Sequence, residues 1–331
     1  MEKRKVVSYS KYGYIFSIPF VLAFLIFTLY PVVYTCVLGF TDLKGMGNTN
    51  FKFLENPFKN FVDILTSRNR GCFLESLGNT FIMWIFNFIP QILLALLLTA
   101  WFTDSRSKVK GQGLFKVLFY LPNIITSATV AILFRAFFGY PMGPINDLFA
   151  KVYGLFHNGA TMEPVNFFIS KPTTRGVIAF IQFWQWYGNT MVLLISGVIG
   201  IDPAIFEAAD MDGANRRQTF FKITIPCIRT IILYVLVTSM IGGLNMFDIP
   251  QLLNQGNPDL STLTTSMYIR NQAFSGSYMY NRAAAASMIM FVIIMALSVG
   301  LFFILRDKDE ADLKKLRKKE LKAQRAAAKG V

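Results

Sequence analysis

The stretch FEAADMDGANRRQTFFKITIP, residues 206–226, is a polar segment between two long apolar runs of the chain. Upstream, Asp202 followed by proline is typical of a helix start, because its side chain accepts a hydrogen bond at the N-cap. Gly213 predicts a left-handed stop, and Asn215 with Gln218 predicts the capping box of a second helix. From the residues alone, two interpretations remain open: an interfacial amphipathic helix, or a folded element that contacts a partner.

The composition indicates a membrane protein. Of 331 residues, 53% are hydrophobic and 16% are charged, and the mean hydropathy is +0.44. Six apolar runs each approach the roughly 20 residues that cross a bilayer as a helix. Backbone polar groups must be paired in lipid, so the sequence predicts an all-α integral membrane protein. We place the spans at about 14–37, 80–102, 114–138, 177–199, 228–246 and 284–305.

Lys and Arg favour alternate connecting segments, which sets the orientation. The richer segments are 1–13, 103–113, 200–227 and 306–331. We therefore expect both termini to be cytoplasmic, with a 14–305 six-span domain that includes a cytoplasmic segment, 202–226. The first run exceeds a signal-peptide core and lacks a cleavage site, which favours a retained span. The net charge of +14 and the basic 306–331 tail indicate a topology anchor facing lipid, not a nucleic-acid-binding arm.

Several classes of function are disfavoured. Cys36, Cys72 and Cys227 are predicted to lie in different compartments, which argues against a disulfide framework. The single histidine and the lack of a Cys/His cluster argue against a metal site. There is no P-loop pattern and no paired nucleophile and base. We expect a chain without catalytic residues or a cofactor of its own, which also disfavours a membrane-embedded enzyme.

The segment EAADMDGA, residues 207–214, resembles the EAA motif of ABC importer permeases, and the later Ile223 and Pro226 agree with its downstream part. Ile225 stands where the family usually has leucine. Four further stretches resemble the carbohydrate-uptake, maltose-type branch: LYPVVYTCVLGFTD, GNTFIMWIFNFIPQILLALLLTAWF, FYLPNIITSATVAILFRAFFGYPMGPIN and FDIPQLLNQGNPDLSTLTTSMYIRNQAF. In the last of these, Asn257 replaces a family glycine. The resemblance covers nearly all of the chain except the tail.

The resemblance implies the six-helix fold of a type I ABC importer permease in a bacterial cell membrane. It also implies four kinds of partner: a second homologous permease subunit, two cytoplasmic ATPase subunits that bind ATP and Mg, an extracellular solute-binding protein, and a carbohydrate substrate. The EAA segment would couple the spans to the ATPase. Glu207 is expected to meet a basic group there, and the alanines to seat against its surface. The matching positions are Glu207, Ala208, Ala209, Asp212 and Gly213.

A solute site is expected near the bilayer midplane, where polar side chains face the pathway. Candidate substrate contacts are Asn123, Ser127, Gln182, Gln185, Trp186, Ser239 and Asn245. The resemblance places most of these at family contact positions, whereas Gly243 and Met246 stand where the family has asparagines. The alternative for each polar residue is a helix–helix hydrogen bond. Arg135, near the end of its span, is interpreted as snorkelling to the interface.

An ion-coupled secondary transporter is the rival function from another class. Such a carrier typically has membrane-buried acids and an internal repeat. The six proposed spans contain no Asp or Glu, which disfavours this rival. Within the ABC class, a glycerol-phosphate permease shares the same motifs and remains an alternative.

Overall fold

A computed structural model describes residues 10–104, 106, 110–157, 161–276 and 278–305. The 306–331 tail and most of the 1–13 segment therefore lie outside the described residues. The described residues form helices joined by loops, with one isolated β-bridge between Thr41 and Phe53. Its α-helices are α1 (Ser10–Phe24), α2 (Tyr30–Leu38), α3 (Lys59–Thr66), α4 (Phe73–Thr103), α5 (Gln112–Ile124), α6 (Ser127–Phe137), α7 (Pro144–Phe156), α8 (Lys171–Ile199), α9 (Pro203–Met211), α10 (Arg216–Thr219), α11 (Ile225–Cys227), α12 (Arg229–Leu244), α13 (Asp248–Asn254), α14 (Thr265–Phe274) and α15 (Tyr280–Leu305). Leu25–Leu29 and Phe220–Thr224 are π-helical.

Four helical stretches are long and apolar enough to cross a membrane: Tyr12–Leu38, Phe73–Thr103, Arg229–Asn254 and Tyr280–Ile304. Two bent pairs of helices bring the number to as many as six, which is the number that the sequence predicts. One pair is α5 with α6, bent by 93°, and the other is α8 with α9, bent by 76°. The helices α4, α8 and α15 begin seven, six and four residues before the predicted spans 80–102, 177–199 and 284–305, since polar residues precede these apolar runs. Most of the other boundaries agree within two residues.

The third predicted span, 114–138, is divided into two helices instead of being continuous. Ile125 is extended, with φ −73° and ψ 135°, and interrupts the helical hydrogen bonds after Pro122. Thr126 then caps α6 by accepting a hydrogen bond from the Thr129 amide at 3.3 Å. A threonine cap restarts the helix in a new direction because its own backbone is extended.

The first and last long helices carry broad exposed apolar surfaces. Phe16, Phe20 and Phe27 are 79%, 74% and 78% exposed, respectively. Only 6% of the most apolar window of each of these helices is buried within the chain. Large exposed apolar faces of this kind require lipid or another membrane subunit to cover them.

The described residues of the ranges 10–74 and 268–291 form one compact unit. Its polar centre is Asn60, whose amide donates to the carbonyl oxygens of Gly39 and Thr41 at 2.9 Å each. The Asn281 amide in turn donates to the Asn60 oxygen at 3.1 Å. Asn60 therefore supplies hydrogen-bond donors to carbonyl groups just after the end of α2. Carbonyl groups at a buried helix end need such donors.

The described residues of the ranges 75–267 and 292–305 form the second unit. One apolar cluster in it joins α4, α6, α8 and α13 through buried residues that include Met83, Phe134, Ile178 and Leu253. Another joins α4, α8 and α12, with buried residues that include Ala95, Leu98, Met191, Leu194 and Val235. Side chains from several helices pack together in these clusters. This packing fixes the positions of the polar residues that lie between the helices.

Glycine at position 188 allows α5 to cross α8 at close range. A Cβ atom added to Gly188 would lie 1.9 Å from the carbonyl oxygen and 2.7 Å from the carbonyl carbon of Phe119. Both are backbone atoms, which cannot rotate away as a side chain can. Small residues let helix backbones approach in this way in membranes.

Arg175, in the first turns of α8, holds the loop that precedes α14. Its guanidinium donates to the Ser261 carbonyl at 2.9 Å and to the Asn79 side-chain oxygen at 2.5 Å. The Asn79 amide donates to the Leu260 carbonyl at 2.9 Å. A charged group with several hydrogen bonds ties three segments of the second unit together.

Candidate functional site

The break between α5 and α6 is bonded to α8. The Gln185 side-chain amide donates to the Ile125 carbonyl at 3.3 Å. This carbonyl lies at the break and is outside both helices. The Asn123 amide donates to the Gln185 backbone carbonyl at 3.4 Å. Non-helical backbone at membrane depth is tolerated where neighbouring protein groups pair it in this way.

A cavity of about 290 Å³ lies beside this break, within the second unit. Its wall is formed by α4, the start of α6, the middle of α8, and α12 with the residues leading into α13, and it is mainly apolar with polar side chains interspersed. The lining residues are Asn87, Gln91, Ser127, Gln182, Gln185, Trp186, Asn189, Thr190, Leu193, Val235, Thr238, Ser239, Gly242, Gly243, Asn245, Met246, Phe247, Asp248 and Ile249.

Six of the seven predicted substrate residues line this one cavity, although they come from three separate spans. They are Ser127, Gln182, Gln185, Trp186, Ser239 and Asn245. The seventh, Asn123, is absent from the lining, and its amide bonds the backbone of α8 instead. For Asn123 the structure therefore favours the helix–helix alternative over solute contact.

The polar groups of the lining differ in how far the chain itself pairs them. The Gln91 amide donates to the Thr190 hydroxyl at 2.7 Å, and the Asn245 amide donates to the Ile241 carbonyl of its own helix at 2.9 Å. The side chains of Gln182, Asn189 and Ser239 make no hydrogen bond to the described residues. These groups leave donors and acceptors for a bound molecule or water.

Sequence reasoning missed the contribution of α4. Asn87 and Gln91 are four residues apart in an apolar helix, so they share one face of it. Amides in such a span are costly unless they face the protein interior. The pair of amides is visible in the sequence, but the family resemblance points instead to the third, fourth and fifth spans.

The cavity is almost neutral. Within the described residues, no Lys, Arg or His lines it, and the only charged lining residue is Asp248, which is exposed. Trp186 contributes an indole that is 45% exposed. Amides, hydroxyls and one aromatic face suit a neutral polyhydroxylated ligand, since they match both its hydroxyl groups and its apolar C–H faces.

Gly243 explains one departure from the family pattern. A Cβ atom at position 243 would lie 1.9 Å from Cδ1 of Trp84. The indole of Trp84 thus occupies the space that an asparagine would need, and it stacks on Phe88 with ring centroids 5.7 Å apart. Gly243 itself lines the cavity, and Trp84, which is absent from the lining, packs against it.

The 202–226 segment forms the helix pair that the sequence predicts. Asp202 accepts from the Ala204 amide at 3.0 Å, which confirms the first cap. Gly213 has φ 73°, which confirms the left-handed stop. Asn215 and Gln218 exchange hydrogen bonds of 2.8 and 2.9 Å, which confirms the capping box. The π-helical stretch that follows α10 was not predicted.

Two ion pairs tie this helix pair to the loop between α4 and α5. Arg106 donates to the Asp210 carboxylate and also to the Ala214 carbonyl, the latter at 2.9 Å. Arg216 lies 3.1 Å from Asp104. The hydrogen bond that Arg106 donates to Asp210 raises the pKa of the guanidinium above its ordinary value. The paired side chains are at least partly exposed to solvent, where ion pairs contribute little to stability.

Apolar contacts connect the helix pair to the spans. Phe206 of α9 and Ile201 before it pack against the cluster formed by α4, α8 and α12. A groove of about 940 Å³ lies alongside and is lined by Glu207, Arg216 and Phe221 among others. The helix pair is therefore joined to the rest of the second unit both by ion pairs and by apolar packing.

The predicted coupling residues differ in accessibility. Glu207, Ala208, Asp212 and Gly213 are exposed, and Glu207 forms no ion pair with the described residues. Ala209 is only 5% exposed, and its carbonyl accepts from the Ala214 amide at 3.0 Å. Ala209 therefore offers little surface to a partner, whereas Ala208 is exposed, and the seating of the alanines against an ATPase stays a prediction.

These features define an all-helical membrane transport subunit with the fold of an ABC importer permease, as the sequence predicts. The chain belongs to the family described as "Binding-protein-dependent transport system inner membrane component", which matches residues 64–308. Relatives of the chain include permease proteins of sugar transport systems.

The relatives are sugar permeases of similar length. The arabinooligosaccharides transport system permease protein AraP of Bacillus subtilis is 30% identical, over 86% of each chain. The lactose transport system permease protein LacF of Rhizobium radiobacter is 28% identical, over 91% of this chain and 96% of its own. The multiple sugar-binding transport system permease protein MsmF of Streptococcus mutans is 27% identical, over 90% and 96%.

Solved structures support the fold. A chain of a bacterial ABC transporter that imports the acidic polysaccharide alginate matches with a TM-score of 0.70 and 24% identity. The match covers 88% of this chain and 94% of that one. At this identity the likeness establishes the architecture and not the solute.

Proposed function

We propose that this chain forms half of the translocation pathway for an uncharged di- or oligosaccharide. The observation that carries the proposal is the cavity, in which amides, hydroxyls and the Trp186 indole converge from four helices. A second homologous permease subunit would supply the other half. The broad exposed apolar faces of the first and last long helices leave membrane-embedded surface for such a partner.

The 202–226 segment would transmit ATP-driven movement to the spans. Its exposed residues Glu207, Ala208, Asp212 and Gly213 are available to a cytoplasmic ATPase subunit. Two such subunits would bind ATP and Mg, while this chain itself carries no cofactor and catalyses no reaction. Phe206 links the segment to the apolar cluster of α4, α8 and α12, so docking forces would reach the cavity wall.

The chain would lie in the bacterial cytoplasmic membrane, with both termini and the 202–226 segment in the cytoplasm. This orientation rests on the excess of Lys and Arg in alternate connecting segments. An extracellular binding protein would deliver the sugar to the opposite ends of the helices.

The near-neutral lining favours an uncharged sugar over glycerol phosphate. Phosphate groups are typically bound by Arg or Lys, and neither residue lines the cavity in the described chain. Asp248 adds a negative charge at the wall, which disfavours an anionic ligand. Two of the relatives are named for uncharged carbohydrates, namely arabinooligosaccharides and lactose.

Uptake by variants of the complete transporter tests this proposal. Replacing Gln182 or Trp186 by alanine is expected to lower sugar uptake at limiting concentration by about 5- to 150-fold, because each loses a hydrogen-bonding or stacking contact. Lactose, trehalose and arabinotriose serve as probes. Ser196→Ala is the control, since Ser196 is exposed on the same helix and absent from the cavity lining. Unchanged uptake in both cavity variants would place the sugar site elsewhere.

A further inference from the structure

The Asn87 side chain of α4 is almost buried, and it reaches the cavity. The residue is only 6% exposed, it lines the cavity, and its side chain makes no hydrogen bond to the described residues. An amide offers two N–H donors and one carbonyl acceptor. Leaving such a group unpaired in a protein interior is unfavourable, so native structures pair it with protein, water or a ligand.

The neighbours of Asn87 give the cavity the character of a sugar subsite. Gln91, one helical turn further along α4, is 5% exposed and is held in place by its hydrogen bond to Thr190. Across the cavity, Gln182 and Asn189 of α8 present side chains that also lack partners among the described residues. Groups that donate and accept hydrogen bonds thus converge on one space from two helices.

The backbone around Asn87 is fixed, which gives the amide a defined position. Trp84, one turn earlier on the same helix, is packed against Gly243 of α12. Gln91, one turn later, is bonded to α8. A polar group held between two such anchors costs little further entropy when it binds a ligand.

We propose that Asn87 is a specificity-determining contact of the pathway, which binds two adjacent hydroxyl groups of the sugar. One hydroxyl accepts a hydrogen bond from the amide N–H, and its neighbour donates to the amide oxygen. A sugar with vicinal hydroxyls satisfies both halves of the group, whereas an apolar solute satisfies neither. This inference rests on the proposed carbohydrate transport and adds the second span to the residues that select the solute.

The test uses the complete transporter, reconstituted with its binding protein, and measures uptake of lactose, trehalose and arabinotriose. Asn87→Leu keeps most of the side-chain volume and removes the hydrogen bonds. It is expected to lower uptake at limiting sugar concentration by about 5- to 30-fold. Asn87→Asp has the same shape but cannot donate, and a similar loss is expected from it. Phe86→Leu is the matched control, because Phe86 is the preceding residue, is 68% exposed and does not line the cavity.

A second measurement separates a sugar contact from a structural role. Monodeoxy derivatives of the best transported probe are compared in the unmodified transporter and in Asn87→Leu. For the derivative that lacks the contacted hydroxyl, both should transport at nearly the same rate, because the contact is already absent. A merely structural role would instead slow all derivatives equally.

The outcomes are distinct. Uptake of the probes by Asn87→Leu and Asn87→Asp at the unmodified rate would overturn the inference and leave the transport function standing. An equal loss for every deoxy derivative would overturn it as well. If the unmodified complex accumulated no sugar at all, the proposed function itself would fail, and this inference with it.

Discussion

Replacing Glu207 by lysine is expected to abolish sugar uptake and receptor-stimulated ATP hydrolysis together. Glu207 is exposed on α9 and has no ion pair within the described chain, so its charge is free for the ATPase. If the partner offers a cation there, lysine converts attraction into repulsion at a contact interface. Like charges facing each other across an interface cost several kcal/mol, which corresponds to a loss of about 100-fold or more. Glu207→Gln should give an intermediate loss.

Gly213→Val is expected to produce the same joint loss by a different route. Gly213 has φ 73°, a conformation that a β-branched side chain tolerates poorly. The turn also carries the Ala214 carbonyl to which Arg106 donates, so distortion would misalign both the second helix and the ion pair. Gly213→Asn is the matched control, because asparagine adopts a left-handed conformation more readily than other residues.

Purified variant complexes provide the measurement for both changes. ATPase activity, retention of the ATPase subunits and sugar uptake are recorded on the same preparations. The membrane subunit should still be produced and inserted, because neither Glu207 nor Gly213 belongs to an apolar core cluster. Normal retention, hydrolysis and uptake in both Glu207→Lys and Gly213→Val would remove the coupling role from this segment.

Gly188→Ala is expected to destabilise the chain itself. The added methyl group would meet the Phe119 backbone at 1.9 Å, so α5 would have to move away from α8. Overpacking typically costs about 1–3 kcal/mol, and a backbone obstacle places this change at or above the upper end. The Gln185 bonds across the α5–α6 break would be strained by the same displacement. Expression yield and thermal unfolding in detergent should both fall.

Gly176→Ala is the control on the same helix. An added Cβ there meets no atom within 4 Å. Alanine favours a helix over glycine by about 0.5–1 kcal/mol, so this variant should be neutral or slightly stabilised. Equal thermal stability of the two variants would show that α5 and α8 do not depend on close approach at Gly188.

How far the sequence could predict this structure depends on the range of the interactions. The caps at Asp202 and Asn215 and the stop at Gly213 depend on neighbouring residues, and all three were predicted correctly. The spans follow from composition alone. The division of the third span was not predicted, because the hydrogen bond that stabilises the break comes from Gln185, some 60 residues away in sequence.

The candidate site was predicted only in part, because it too depends on contacts between segments that are distant in sequence. A periodic pattern places Gln182 and Trp186 on one face of α8, but it does not show which helix lies opposite. The contribution of Asn87, the loss of Asn123 from the lining and the burial of Ala209 each depend on packing between distant segments. Gly243 illustrates the limit, since its departure from the family pattern is explained only by the Trp84 ring.

The most direct test of the account is sugar accumulation in proteoliposomes that contain this chain with its second permease and ATPase subunits. ATP is supplied on the side of the 202–226 segment, and the sugar-loaded binding protein on the other. We predict accumulation against a concentration gradient that requires both ATP and the binding protein, and that is lost with Glu207→Lys. Accumulation driven by a proton or sodium gradient in the absence of ATP would contradict the account and identify an ion-coupled carrier.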